Sequence, residues 1–448
     1  MTYNTKKLID SLKNQSNQNE FNHTNSTSGN HNGNGNRQEI NGINGKNSIR
    51  SVGSITDLIC FSHLRWNFVF QRPQHLLTRW AKELRVTFIE EPIFGKFGFN
   101  ELKATASKES NNITVLTPHI IEGTSDKEIN VYLEKSIKEF ISKNKIGDYV
   151  LWYITPMAIK FSLELNPRMV IYDCMDELSG FKGANPDISK NEAELLKLAD
   201  VVFTGGHNLY EHKKNKHSNI HPLPSSIDQK HFESGRGSID PADQVNISHP
   251  RIGFFGVIDE RLDLELLDGL AIKMPLTQFV MIGPVVKIDP ESLPKHENIH
   301  YLGQKSYSEL PNYLEHWDIA FLPFAKNDST RFISPTKTPE YLCAGKPVVS
   351  TSIHDVVNPY GTMGLVQIAD NAQDFSVAIN KALKQINDKD WANKVQDFLK
   401  ANSWDLTWLR MKKIVFETLV KKESSKKNYA YSTQTLSSKS QSSYPNIL

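Results

Sequence analysis

The chain has 448 residues, 38% apolar and 23% charged, enough to bury two hydrophobic cores. Its 52 basic and 50 acidic side chains nearly cancel, which excludes a global field drawing it to nucleic acid or to an anionic membrane. No apolar run approaches the ~18 residues that span a bilayer, and the start lacks the basic-then-apolar layout of a signal peptide, so a cytoplasmic protein is expected.

Asparagine supplies 13 of the first 50 residues, and residues 1–53 are expected to form a disordered arm. The first domain is predicted over 54–247. It opens on the strand Leu58–Phe61, and Leu76, Leu77, Trp80, Ala81 and Leu84 then recur at helical spacing behind Pro73. Strands follow at Val86–Ile89, Val150–Tyr153 and Val170–Tyr172, then a helix from Glu192 to Leu198 and a strand at Val201–Thr204. After the polar segment 235–250 the pattern restarts as a second domain over 248–420. Its strands are expected at Ile252–Phe255, Gln278–Ile282, Asn298–Tyr301, Asp318–Phe321 and Pro347–Ser350. The Ser/Lys-rich residues 421–448 read as a disordered tail. Apolar strands alternating with helices predict an α/β chain of two doubly wound domains facing a central cleft. Ligands of such a pair lie outside the carboxyl ends of the strands. Cys60, Cys174 and Cys343 are odd in number and each set in an apolar segment, which argues for buried thiols.

The segment Phe332–Pro339 stands at such a place, after one strand and before a helix expected to start near Pro339. A helix N-terminus is a ready anion site, and Arg331 and Lys337 flank the turn as charged donors. An ordinary capped helix with solvated charges is the plainer alternative.

Glu340-Tyr-Leu-Cys-Ala-Gly-Lys-Pro-Val-Val resembles the segment of GT-B glycosyltransferases that closes the nucleotide-sugar site, with glycine five and proline seven residues after the glutamate. Ser218–Asp228 followed by His231-Phe232 is similar to the turn ending the family's first domain. Phe279–Gly283, Ile299–Gly303 and Trp317–Ala320 are similar to its second-domain strands. Phe61–His75 and Tyr172–Glu177 look like a bacterial subgroup associated with cell-surface polysaccharides. The resemblance implies two Rossmann-like domains and transfer of a sugar from a nucleotide-diphosphate sugar to a glycan or lipid-linked acceptor. It leaves room for a peripheral contact at the inner face of the membrane.

By that resemblance Glu340 binds the ribose hydroxyls, while Ser334, Thr336 and Lys337 face the diphosphate. Gly256 and Arg261, after the first strand of the second domain, match a glycine turn and a basic residue near the diphosphate; a solvated helix start with internal pairing is the alternative. The leaving diphosphate is expected to be stabilised without a bound metal, and no cofactor is implied. Family members that retain configuration carry an acidic residue eight positions before the glutamate, where this chain has Phe332. The acceptor side falls to the first domain, with His63, Arg65, Arg72 and His75 as hydroxyl ligands. Trp66 reads equally as packing or as a sugar platform. Inverting transfer needs a base, and Asp173, Asp176 and Glu177 lie past a strand end, with Asp176 favoured and Asp173 next. A nucleotide-sugar epimerase, or a non-catalytic binder of glycan or nucleotide sugar, would use the same fold.

Overall fold

Most strands in this chain are short apolar runs buried on both faces, which a sheet covered by helices on both sides accommodates. The computed structural model describes residues 55–440, with side chains to residue 425. The expected N-terminal arm lies outside the described residues.

Two sheets form. The first holds β1 (Asp57–Phe61), β2 (Arg85–Ile89), β3 (Ile93–Gly95), β4 (Glu101–Ala106), β5 (Ile113–Ile121), β6 (Tyr149–Tyr153), β7 (Met169–Cys174), β8 (Val201–Thr204) and β9 (Ile220–Pro222). Its order is β3-β5-β2-β1-β6-β7-β8-β9, parallel throughout except that β4 pairs antiparallel with β5. Sequence order therefore reverses at β1 and β6. The second sheet holds β10 (Arg251–Phe255), β11 (Gln278–Ile282), β12 (Ile299–Tyr301), β13 (Ile319–Leu322), β14 (Val348–Ser350) and β15 (Val366–Ile368). Its order, β12-β11-β10-β13-β14-β15, is the Rossmann order and reverses between β10 and β13. The loops leaving these strands, Gly256 onward and Pro323–Thr336, thus flank the crevice where this topology binds ligands.

Each sheet has its own core. Ile59, Phe61, Leu151, Tyr172 and Val202 centre the first, and Ile252, Phe254, Val280, Phe321 and Val349 the second. The three cysteines are buried free thiols, as their apolar settings imply.

The helix Trp404–Ser440 leaves the second domain and packs on the first. Arg79 pairs with Asp405 at 2.7 Å, Asn219 donates to Thr418 at 3.1 Å, and Trp404 stacks on His75 with ring centroids 4.7 Å apart. Residues 421–440, whose composition reads as disordered, continue this helix. Beyond the last buried apolar side chain, Leu419, Lys422 is held by Asp200 at 2.7 Å and Glu423 by Arg168.

A second join lies at the helix His207–Lys213. Asp355 of the second domain, 4% exposed, accepts from the amides of His207 and Asn208 at 2.8 and 2.9 Å, capping a first-domain helix. Gly206 permits this, because a Cβ there would lie 2.3 Å from the Asp355 carboxylate. Gly206 therefore marks a close approach of the other domain, whereas at Gly205 a Cβ would meet the Met175 carbonyl oxygen of its own domain at 2.1 Å.

Candidate active site

β10 ends at Phe255, and Gly256 turns the chain at φ +144 with its amide bonded to the Ile282 carbonyl at 2.8 Å. Lys337 lies over this turn. A Cβ on Gly256 would meet Lys337 Cε at 2.1 Å and Nζ at 2.7 Å, so glycine is what admits the ammonium. The helix begins at Lys337, two residues before the expected start, and runs to Cys343. It is fastened to β10 where the Phe255 amide donates to the Tyr341 hydroxyl at 2.9 Å.

One turn after Lys337 stands Glu340, 7% exposed. Burial raises its carboxyl well above the ordinary range, with Lys337 pulling it back. Burial and the neighbouring Arg261 lower the Lys337 ammonium, against the pull of Glu340, Asp259 and Asp176. Arg261 itself is held bidentately by Asp259, at 2.9 and 2.7 Å. The helix begins only at Leu264, behind an Asp263 cap, so the Asp259–Arg261 pair belongs to the crevice rather than to a solvated helix start.

From the first domain, Asp176 reaches the same place. Burial raises its carboxyl, Arg261, Arg72 and Lys337 lower it, and Asp173 raises it. A carboxylate above its usual range beside two cations of the facing domain is a group poised to take a proton while the cations hold an anion.

The crevice thus gathers Asp176, Gly256, Arg261, Lys337 and Glu340. Other candidates are occupied elsewhere. Asp173 and Arg72 form a buried bidentate pair, at 2.7 and 3.1 Å, and Arg72 also donates to the Leu223 carbonyl at 2.7 Å. Glu177 pairs with the buried Lys213 at 2.7 Å, and Lys213 with Glu192 at 2.6 Å. Arg65 bonds Glu90 at 3.2 Å and the Glu91 carbonyl at 2.5 Å. His75 is packed between Trp404 and Phe70, and Trp66 donates its indole N–H to Glu109 at 2.8 Å, which makes it packing. Arg331 is exposed, over the Phe332 ring at 5.1 Å, and is not among the groups acting most on Lys337. Ser334 abuts Gly206, and the Thr336 carbonyl accepts from the Glu340 amide at 3.4 Å. Of the proposed acceptor ligands only His63 keeps a buried ring nitrogen, Nδ1, without a protein partner.

Phe332 faces the first domain. Its ring lies 4.6 Å from that of His212 and packs against the first core. Sequence reasoning passed over two unsatisfied groups near the crevice, the Thr338 hydroxyl and both carboxylate oxygens of Glu260, all buried without partners. Only tertiary structure reveals them.

Comparison with known proteins supports the same reading. Residues 250–385 match the model of "Glycosyl transferases group 1". The matched stretch lies within the second domain. A relative named provisionally as the teichuronic acid biosynthesis glycosyltransferase TuaH of Bacillus subtilis (strain 168) is 24% identical over 282 residues, covering 59% of this chain and 70% of its own. Two solved structures share the fold at low identity. HepE of Anabaena, in complex with UDP and glucose, aligns with TM-score 0.58 and 10% identity over 80% of this chain and 99% of its own. Sucrose-phosphate synthase from Thermosynechococcus elongatus aligns with TM-score 0.59 and 12% identity, over 81% and 98%. The chain is a glycosyltransferase of GT-B fold. The epimerase and non-catalytic readings find no support.

Proposed function

We propose that the enzyme moves a sugar from a nucleotide-diphosphate sugar to a glycan or lipid-linked acceptor during cell-surface polysaccharide synthesis. The convergence of Asp176 from one domain with Arg261, Lys337 and Glu340 from the other carries this reading. Glu340 accepts the ribose hydroxyls, and Lys337 and Arg261 hold the diphosphate. As the acceptor oxygen bonds to the anomeric carbon, the bond from that carbon to the phosphate oxygen breaks. The acceptor proton passes to Asp176, and the electron pair leaves on the diphosphate beside the two cations, with no metal required.

The name of TuaH supports a polysaccharide product, and UDP in the HepE complex makes uridine nucleotides the first donors to try. Ile93 and Phe94 of β3, at one end of the first sheet's strand order, and Phe99 in the loop from β3 to β4 are exposed, at 37%, 55% and 69%. That apolar edge supports peripheral contact with a membrane carrying the acceptor, at its cytoplasmic face. Among the described residues no helix is long and apolar enough to cross a membrane.

Asp176→Asn tests the base. Turnover should fall by roughly 10²–10⁴-fold while donor affinity stays within about twofold. Turnover left intact, with donor binding unchanged, would remove Asp176 from the mechanism. Activity retained in a chelator would agree with metal-free departure, and its loss would contradict that part.

A further inference from the structure

Five residues past Asp176, the loop after β7 places Phe181 against the second domain. Gly180 lies so close to that domain that a Cβ would sit 2.7 Å from the Asp328 carbonyl oxygen. Two cations of the second domain lie over the Phe181 ring, Arg261 with its guanidinium carbon 5.8 Å from the centroid and Lys287 with its ammonium 5.4 Å away.

The two cations differ in what balances them. Arg261 is neutralised by Asp259. Among the described residues no carboxylate pairs with Lys287. Its backbone sits at φ 64, a left-handed conformation that a residue other than glycine adopts at a cost, and that observed outlier lies at the crevice. His63, two residues past β1 in the first domain, has Nδ1 buried and unpartnered and is near enough for the Lys287 charge to act on its ring. Burial and the Lys287 charge lower its basicity to about 4, so the ring is neutral, and a neutral imidazole has one N–H to donate. The groups acting most on Lys337 are Arg261, Glu340, Asp259 and Asp176, which sets Lys287 apart from the proposed diphosphate cations.

We propose that Lys287, His63 and Phe181 form a subsite for an acidic group on the acceptor, either the carboxylate of a hexuronic acid or a phosphate ester. The ammonium supplies the charge, the His63 N–H a directed hydrogen bond, and the Phe181 ring holds the lysine in place. This rests on the glycosyltransferase reading, with donor and acceptor sharing the cleft.

The test is calorimetric titration of the full chain saturated with UDP, using glucuronate, glucose 6-phosphate and glucose as probes. In the wild type one acid should bind about tenfold or more tighter than glucose. Glucuronate as the tighter ligand would assign a carboxylate, and glucose 6-phosphate a phosphate. Lys287→Met should bring that preference to within about twofold, Lys287→Arg should restore most of it, and both should bind UDP as the wild type does. No preference for either acid in a wild type that binds UDP would overturn the subsite. Weaker UDP binding in Lys287→Met would overturn it too, by making Lys287 a donor cation. A wild type that binds neither UDP nor any other nucleotide would overturn the donor reading and the subsite together.

Discussion

Replacing Gly256 by alanine asks whether Lys337 is the cation that holds the donor. The new Cβ would stand 2.1 Å from Lys337 Cε, roughly 1.4 Å inside the ~3.5 Å of ordinary carbon contact. The flexible lysine therefore has to withdraw from the crevice. Two costs follow, and they separate experimentally. A side chain at φ +144 costs ~1–3 kcal/mol of fold stability, a melting-point drop of several degrees for a domain of this size. Loss of a charge-assisted hydrogen bond to the diphosphate costs ~1.5–3 kcal/mol of binding, about 10- to 150-fold in affinity. Calorimetric titration with UDP reads the second, and thermal unfolding the first. In a Lys337→Met background the alanine should still lower the melting point but weaken UDP no further. Gly256→Ala that melts early yet binds UDP normally would refute the placement of Lys337 at the diphosphate. So would an equal loss of affinity with and without the lysine.

The same pair sets a pH dependence. Glu340 must be ionised to accept ribose hydroxyls, and burial raises its carboxyl, so affinity should fall on the acid side at a pH above the usual carboxylate range. Lys337 must be protonated, and burial with Arg261 lowers its ammonium, so affinity should fall again on the alkaline side below the usual lysine range. Titrations across pH should give a bell, and Glu340→Gln should remove its acid limb alone. At the buried Arg72–Asp173 pair, Arg72→Leu should cost ~3–5 kcal/mol in urea unfolding by stranding the carboxylate. The double replacement Arg72→Leu with Asp173→Leu should cost less, and a single-mutant cost below ~1 kcal/mol would contradict the buried pair.

Much of this architecture is legible in the sequence because it is written locally. Runs such as Val201–Thr204 and Gln278–Ile282 are apolar on both faces, and the rule that ligands meet strand ends led to Asp176 and Lys337, while Glu340 and Arg261 came from the resemblance to GT-B glycosyltransferases. β4 was not visible, since five of its six residues are exposed and it pairs by backbone alone. Residues 421–440 look unstructured because their helix is anchored by Asp200 and Arg168, far away in the chain. Arg72 reads as a free ligand because its partner Asp173 is 101 residues distant. What Gly206 admits is equally remote in the chain, the carboxylate of Asp355. Phe181 and Lys287 left no sequence signal, as each comes from an irregular loop and they meet only across the cleft.

The central claim is that the cleft binds a nucleotide-sugar donor through Glu340. Thermal unfolding of the wild type and of Glu340→Ala against UDP-, GDP- and dTDP-sugars tests it most directly. A donor present at ~100 times its dissociation constant should stabilise the wild type by ~2.7 kcal/mol. The account predicts that one nucleotide class raises the melting point and that Glu340→Ala abolishes the rise; no rise with any class, or a rise that Glu340→Ala leaves unchanged, would contradict it.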